Sequence, residues 1–566
     1  MLTSSLEADW WRQAVVYQIY PRSFADANGD GIGDLKGITS RVDYLSELGV
    51  DAVWLSPFYP SALKDGGYDV ADYRNVDPRI GTLDDFDEMM AALNKAGIKV
   101  IVDIVPNHTS NDHEWFKEAL AAGKGSAARE RYIFMDGKGP NKDQPPTDWE
   151  SVFGGPAWSP SGQNDGQWYY HWFDSSQPDF NWNNEDVKAD FLKTFRFWGD
   201  RGVSGFRIDV AHGCAKDMSG ELPSYKELAE MTAKKLSNGN ADLIHPIYDR
   251  DEVQDIYKTW RKIFNEYSPP LIAVAECWVA ADRKHLYASP DTLGQAFSFD
   301  ILLDQFDAAA YRKTIDFQLE GLKESGSSST WVLSNHDVIR HATRYSLDMP
   351  VAESSDLQAH IPIYNMHLAS GFTQPKTDPA RGLRCARAAT MMILGLPGST
   401  YLYQGEELGL PEVANIPAAE RQDPNFFRTE GRIIGRDGCR VPLPWNEKGI
   451  HHGFGEGKEP HLPMPEWWGK HAVDTALDRP DSTLNLYRRA MALRKDLQCG
   501  EALEWLDSPA EVLHYRRPNG WEVVLNAGES DYIIPEGRTV VLSSGVAVTD
   551  RVPPETTVWL TPSPSV

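Results

Sequence analysis

Eight short apolar runs recur along the chain, separated by longer stretches of different periodicity, and few architectures accommodate that pattern. The runs are VVYQIY (15–20), DAVWLSP (51–57), KVIVDIVP (99–106), VSGFRIDV (203–210), LIAVAECW (271–278), FSFDILL (297–303), STWVLSNHD (329–337) and STYLYQGEE (399–407). Their near-continuous apolar character suits strands buried on both faces. Between them lie amphipathic stretches such as LDDFDEMMAALNKAG (83–97) and DVKADFLKTFRFWGD (186–200), which carry a helical period. Eight β/α alternations predict an α/β fold, a closed (β/α)8 TIM barrel spanning residues 1–106 and 181–482. Residues 107–180 are rich in Gly, Pro, Asn and Trp without periodicity. A structureless loop of that length is improbable, so the segment is read as a loop-rich subdomain inserted after strand 3. From residue 483 the pattern changes to one helix (LNLYRRAMALRK, 484–495) followed by alternating runs. Among these runs, EVLHYRR and WEVVLNAG flank Pro518-Asn519-Gly520, a strong hairpin signal. Residues 483–566 are therefore expected to form a C-terminal antiparallel β-sandwich.

Charge narrows the partners. The 566 residues carry 56 Lys and Arg against 82 Asp and Glu, a formal charge of −26, and no basic cluster interleaved with aromatics reverses it. Such a surface repels a phosphate backbone, which argues against nucleic acid. A small neutral ligand tolerates the field, and 19 Trp with 22 Tyr offer flat faces on which a sugar ring could stack. The five cysteines, Cys214, Cys277, Cys385, Cys439 and Cys499, are widely spaced and include no C-x-x-C pair, so neither a disulfide framework nor a zinc site is indicated. With no basic, then apolar, leader and no membrane-length apolar stretch, the expectation is a cytoplasmic protein without a membrane partner, monomeric or homodimeric.

In a barrel of this kind, reactive groups sit where strands end and the βα loops begin. Four runs deliver polar residues there: Asp103, Asn107 and His108; Arg207 and Asp209; Glu276; and Asn335, His336 and Asp337. A lone carboxylate at a strand end is most often structural, but four ionisable clusters on one rim point to a site. Arg207 and Asp209 are two residues apart, so strand alternation puts them on one face, where the guanidinium should keep the carboxylate ionised. Glu276, flanked by Ala275, Cys277 and Trp278, suits a protonated carboxyl. One ionised and one protonated carboxyl together are what glycoside hydrolysis requires. The competing reading is a buried ion pair bracing the barrel.

The loop Asp26-Ala-Asn28-Gly-Asp30-Gly-Ile32-Gly-Asp34 offers side-chain oxygens at alternate positions, a turn at Gly31 and a carbonyl at Ile32. It reads as a structural Ca2+ or Mg2+ loop. Gly37 stands where an EF-hand has Glu, so Asp34 must supply the extra carboxylate. A solvated Asp/Gly turn is the alternative.

The runs DIVPNHTS (103–110), GFRIDVAHG (205–213), AVAECW (273–278), LSNHD (333–337) and QPDFNW (177–182), with YQIYPRSFADANGDGIGDLKGI near the start, resemble the α-amylase superfamily of glycoside hydrolases. QPDFNW resembles its α-glucosidase and oligo-1,6-glucosidase branch. The resemblance implies a nucleophile at Asp209, a general acid/base at Glu276 and a third carboxylate at Asp337 that favours the transition state. It further implies that His108 and His336 hydrogen-bond the sugar, that Arg207 orients Asp209, that Asp65 and Tyr68 grip the non-reducing end, and that Arg436 closes the pocket with Asp65. An exo-acting retaining α-glucosidase follows, with transglycosylation as a competing outcome and no organic cofactor. Val210 is similar to members preferring α-1,6 bonds, whereas Ala211-His212-Gly213 departs from the Ile-Asn continuation of that group. An oligo-1,6-glucosidase and a sucrose- or trehalose-converting transglycosidase therefore stay open. The segment IHPIYDRDEVQDIY (244–257) and Phe426-Phe427 are expected at the entrance. A catalytically inert partner subunit, like the heavy chains of amino-acid transporters, is disfavoured because all three carboxylates are in place.

Overall fold

The computed structural model describes residues 9–238, 243–347, 366–367, 370 and 373–564. Eight parallel strands form its centre: β1 (Val15–Ile19), β2 (Ala52–Leu55), β3 (Lys99–Ile104), β7 (Gly205–Ile208), β8 (Ile272–Ala275), β9 (Gly294–Ala296), β10 (Thr330–Val332) and β11 (Ser399–Tyr403). They pair in the order β10-β11-β1-β2-β3-β7-β8-β9. The ring is completed by a single parallel bridge, Ser298 to Trp331, with Ser298 N–H donating to the Thr330 carbonyl at 3.0 Å. Each strand is buried on both faces because helices cover the outside, among them Leu83–Lys95 and Glu185–Asp200. The first of these starts at a capping box in which Thr82 and Asp85 satisfy each other's backbone amides.

The sixth strand is not where the apolar run placed it. FSFDILL was read as a strand, but the strand is Gly294–Ala296 and Phe299–Leu303 is a short helix. Gly-Gln-Ala carries no strand signature of its own. It is held by the ladder to β8 and by Gln295, whose amide donates to Ser399 Oγ at 3.0 Å inside the barrel. The apolar side chains Phe299, Ile301 and Leu302 are buried from a helix, an ambiguity inherent in short apolar runs.

Between β3 and β7 the chain forms the helix Glu114–Ala122 and a small antiparallel sheet, in the order β4 (Phe134–Asp136), β6 (Gln167–Tyr170), β5 (Trp158–Pro160). Trp149, Trp158 and Tyr170 pack there against Leu228, Ile247 and Tyr248 from the segment after β7.

Beyond the helix Thr483–Leu497 the chain forms a five-stranded antiparallel sheet, in the order β12 (Glu504–Trp505), β13 (Val512–Arg516), β14 (Glu522–Asn526), β18 (Thr556–Pro562), β16 (Arg538–Ser543). The second layer is only a ribbon, β15 (Tyr532–Ile533) with β17 (Arg551–Val552). The hairpin at Pro518-Asn519-Gly520 joins β13 to β14, with Gly520 at φ +84° as the turn requires. This sheet packs on the barrel helix Pro379–Gly395. Tyr515 Oη donates to the Met392 carbonyl at 2.6 Å and Trp559 Nε1 to that of Met391 at 3.1 Å. No helix among the described residues is long and apolar enough to cross a membrane.

Candidate active site

Each candidate carboxylate stands just past a strand end. Asp209 follows β7, Glu276 follows β8 and Asp337 lies in the loop after β10. Arg207, inside β7 and buried, ties the first two together. Its Nη1 donates to Asp209 Oδ1 at 2.5 Å and to Asp103 Oδ1 at 3.0 Å, while Nη2 lies 3.7 Å from Glu276 Oε2. Asp103 also accepts from Tyr68 Oη at 3.0 Å and Trp54 Nε1 at 3.2 Å, so one buried carboxylate sets the position of the arginine.

Glu276 is held at both oxygens. The Val210 backbone N–H donates to Oε2 at 2.6 Å, and Trp278 Nε1 donates to Oε1 at 2.6 Å. Val210 reaches this position at φ +46°, a left-handed conformation that a β-branched residue adopts only where its surroundings impose it. The Trp278 ring stacks on Phe299 with centroids 4.3 Å apart, and its carbonyl accepts from Tyr248 Oη.

Burial pushes the pKa of both Asp209 and Glu276 upward. The expectation from the Arg207 pairing was a plainly ionised Asp209. Arg207 does favour its charged form, but burial and the nearby charges of Glu276 and Asp103 outweigh that effect. The guanidinium is closer to Asp209 by more than an ångström, so it favours the charged form there and leaves Glu276 the more readily protonated of the two.

Asp337 is the contrasting case. Its side chain is 31 % exposed, with Oδ1 receiving Arg436 Nη1 and Arg440 Nη2, each at 3.0 Å. Burial opposes its charge, but the imidazole of His336 and then the two guanidiniums hold the carboxyl well below the usual range. His336 is itself pushed down by burial, so at neutral pH its ring is neutral and the arginines carry the effect. His336 Nε2 lies 3.2 Å from Asp337 Oδ2 but is not aligned to bond it, which leaves a buried ring nitrogen without a hydrogen-bond partner. Its Nδ1 is engaged by Gln18 at 2.7 Å and one face stacks on Tyr68 at 5.1 Å. Tyr68, expected to stack on a ligand, thus spends one ring face on His336.

Arg436 forms the far wall. It reaches Asp65 Oδ1 at 2.7 Å, Asp337 at 3.0 Å and Asp423 Oδ2 at 2.7 Å. Burial raises Asp65 to about 6 despite both arginines, with the nearby charge of Asp423 adding to the rise. Asp65 Oδ2 also accepts from Gln177 Nε2 at 3.0 Å, which stands 3.1 Å from His108 Nε2. Burial lowers His108 to about 4, so it too is neutral.

The structure therefore brings Asp65, Tyr68, His108, Arg207, Asp209, Glu276, His336, Asp337 and Arg436 into one connected network of contacts. Sequence reasoning gave no role to Gln177, Arg440 or Asp423. Gln177 lies inside the QPDFNW run and Arg440 four residues beyond Arg436, whereas Asp423 carries no local signal and acquires meaning only through Arg436.

The metal candidates lie elsewhere. Asp26 accepts the amides of Gly29 and Gly31, Asp34 those of Ala27, Asn28 and Gly37, Asn28 that of Asp30, and Asp30 that of Ile32. Asp34 is the N-cap of the helix Leu35–Ser40. The glycines allow close packing: a Cβ on Gly31 would fall 2.2 Å from the Glu459 carbonyl oxygen. Among the described residues no three His, Cys, Asp or Glu side chains converge where they could hold a metal ion.

The model of the α-amylase catalytic domain matches residues 18–501. A probable alpha-glucosidase of Rhizobium meliloti (strain 1021) is 34% identical, covering 92% of this chain and 90% of its own length. An oligo-1,6-glucosidase of Parageobacillus thermoglucosidasius is 32% identical, covering 95% of each. The crystal structure of an alpha-glucosyl transfer enzyme superposes with a TM-score of 0.80 at 31% identity, over 97% of this chain and 99% of that one. The chain belongs to the α-amylase superfamily of glycoside hydrolases, in the branch that holds the α-glucosidases and oligo-1,6-glucosidases.

Proposed function

We propose that the protein is an exo-acting, retaining α-glucosidase that releases α-glucose from the non-reducing end of short gluco-oligosaccharides. The bridge that Arg436 makes from Asp337 to Asp65 carries this reading, because it makes the pocket blind on the Asp65 side. A sugar chain then enters only past Glu276, with its terminal residue innermost. The names of the α-glucosidase and oligo-1,6-glucosidase relatives support it.

In the first step Asp209 Oδ attacks the anomeric carbon while Glu276 gives its proton to the departing glycosidic oxygen, leaving a covalent glycosyl ester and a shortened sugar. Glu276, now a carboxylate, takes a proton from water, whose oxygen displaces Asp209 and restores both groups. Retention requires the two carboxyls about 5–5.5 Å apart, and their shared contact with Arg207 suits that spacing. Neutral His336 keeps Nε2 unpartnered for a sugar hydroxyl, neutral His108 reaches one by exchanging its contact with Gln177, and Asp337, firmly ionised, favours the positive charge that develops on the ring. If a sugar hydroxyl replaces water, the product is a transferred glucoside. The α-glucosyl transfer enzyme among the structural neighbours favours this second outcome at the same site.

Initial rates on maltose, isomaltose, sucrose and longer maltooligosaccharides, with products separated by chromatography, test the proposal. Glucose released first as the α-anomer is expected. Isomaltulose, trehalulose or trehalose as the main product would refute it. A structural Ca2+ or Mg2+ ion at Asp26, Asn28, Asp30, Ile32 and Asp34 remains a separate proposal that rests on the hard oxygens these residues supply. No catalytic step passes through it. A thermal midpoint lowered by EDTA supports the ion, and an unchanged midpoint removes it.

A further inference from the structure

Lys64 and Gln422, chain neighbours of Asp65 and Asp423, help line a second cleft of about 540 Å3. Its lining includes Arg22, Lys64, Arg79, Arg428, Asp174 and Phe427. Two of the four cations are answered: Arg79 pairs with Asp77 at 2.6 Å and Arg428 with Asp174 at 3.2 Å. Among the described residues neither Arg22 nor Lys64 has a carboxylate within ion-pair distance. Lys64 is exposed. Arg22 is only 5% exposed, its Nε is buried without a hydrogen-bond partner, and its Nη2 meets neutral acceptors, Gln422 Oε1 at 2.9 Å and His461 Nδ1 at 3.4 Å.

This is an unusual place for surplus positive charge. The chain as a whole carries −26, and a buried guanidinium without a counter-ion is costly unless an anion answers it. At the rim stands Phe427, 56% exposed, whose ring offers an apolar face beside the cations. From the sequence this residue was expected at the entrance to the reaction pocket; the structure places it in the lining of this cleft.

We infer that this cleft binds a phosphate group, with Arg22 and Lys64 as its charge partners and Phe427 as a platform for an attached sugar ring. The ligand class is a sugar phosphate. It would not be a substrate at the catalytic carboxyls, because neither Asp209, Glu276 and Asp337 nor Asp65 and Arg436 belong to the lining of this cleft. Two of its lining residues are nevertheless chain neighbours of that wall. Lys64 immediately precedes Asp65, Gln422 immediately precedes Asp423, and both of those carboxylates grip Arg436.

Isothermal titration of the full-length protein with glucose 6-phosphate, inorganic phosphate and glucose tests the inference without relying on hydrolysis. Saturating glucose in the first two titrations competes for the reaction pocket, and the Lys64→Glu variant, altered in the lining of the cleft, separates a failure of this inference from a failure of the proposed function. Both phosphates are expected to bind, glucose 6-phosphate more tightly. Lys64→Glu, a change at an exposed position, should weaken both by at least about tenfold, and Arg22→Gln should do the same if it folds. Equal affinity for the two would place inorganic phosphate as the ligand of the same site. No binding by either at about 10 mM, a Kd range still measurable as weak association, or full binding by Lys64→Glu, would overturn the inference.

Discussion

Replacing Asp65 with Asn keeps the shape of a side chain that is 4% exposed and removes its charge. In the wild-type protein Asp65 is the least neutralised of three carboxylates around Arg436 and Arg440, and it titrates at about 6. A hydrogen bond from a sugar hydroxyl to a charged carboxylate contributes about 1.5–3 kcal/mol. Asp65→Asn should therefore lower kcat/KM on maltose by about 10–150-fold at pH 7.5. At pH 5, one unit below its pKa, only about one-tenth of Asp65 is ionised in the wild type. The wild-type to variant ratio should then shrink, by up to about tenfold, between pH 7.5 and pH 5. The ratio is the informative quantity because Asp209 and Glu276 titrate in both proteins and largely cancel. Stability should move the other way. A carboxyl raised from 3.8 in the unfolded chain to about 6 in the fold binds its proton more tightly when folded, so its contribution to stability is lost as pH rises through that interval. The variant should be more heat-resistant than the wild type above pH 6, by at most about 3 kcal/mol at 1.36 kcal/mol per unit. Steady-state kinetics at several pH values, with thermal melts alongside, make the test. A ratio that does not change with pH would refute the titration of Asp65, and a ratio near one would remove Asp65 from the substrate pocket.

Asp209→Ala should lose about four to six orders of magnitude in turnover while its circular dichroism stays that of the wild type; undiminished glucose release would reject the nucleophile. Trp278→Phe keeps the stack on Phe299 but removes a donor to Glu276 Oε1, so the alkaline limb of kcat/KM should move to higher pH. A stationary limb in a correctly folded variant would show that the indole does not tune Glu276. Gly395→Ala places a Cβ 2.6 Å from both Tyr515 Oη and Val523 Cγ2, and should destabilise the junction between barrel and C-terminal sheet by about 1–3 kcal/mol. An unchanged thermal midpoint would contradict that packing account.

Much of the catalytic rim was readable because strands buried on both faces are written as apolar runs, and a polar residue closing such a run stands out. Asp209 and Glu276 follow immediately after β7 and β8 for that reason. Gly294–Ala296 was not readable, since its pairing is imposed by neighbouring strands rather than by its own three side chains. The far wall was legible only in part. Asp65 and Arg436 were implied by the family resemblance, but Asp423, which accepts from Arg436 at three nitrogens, counting its backbone amide, lies in a loop whose sequence says nothing about its partner. The loop at Asp26–Asp34 illustrates the opposite difficulty. Spaced Asp and Asn side chains suit a hard cation and equally suit tight turns and a helix cap, and composition does not separate the two.

The cylinder is stitched unevenly. Adjacent strands share three or four paired residues along most of its circumference, whereas β9 and β10 meet through one bridge at Ser298 and Trp331. A wall joined so lightly at one seam should breathe there first, so amides flanking that bridge ought to exchange with solvent ahead of those in the rest of the ring. It is also the gap at which chain ends could be relocated with least damage to the pocket that the other seams hold together.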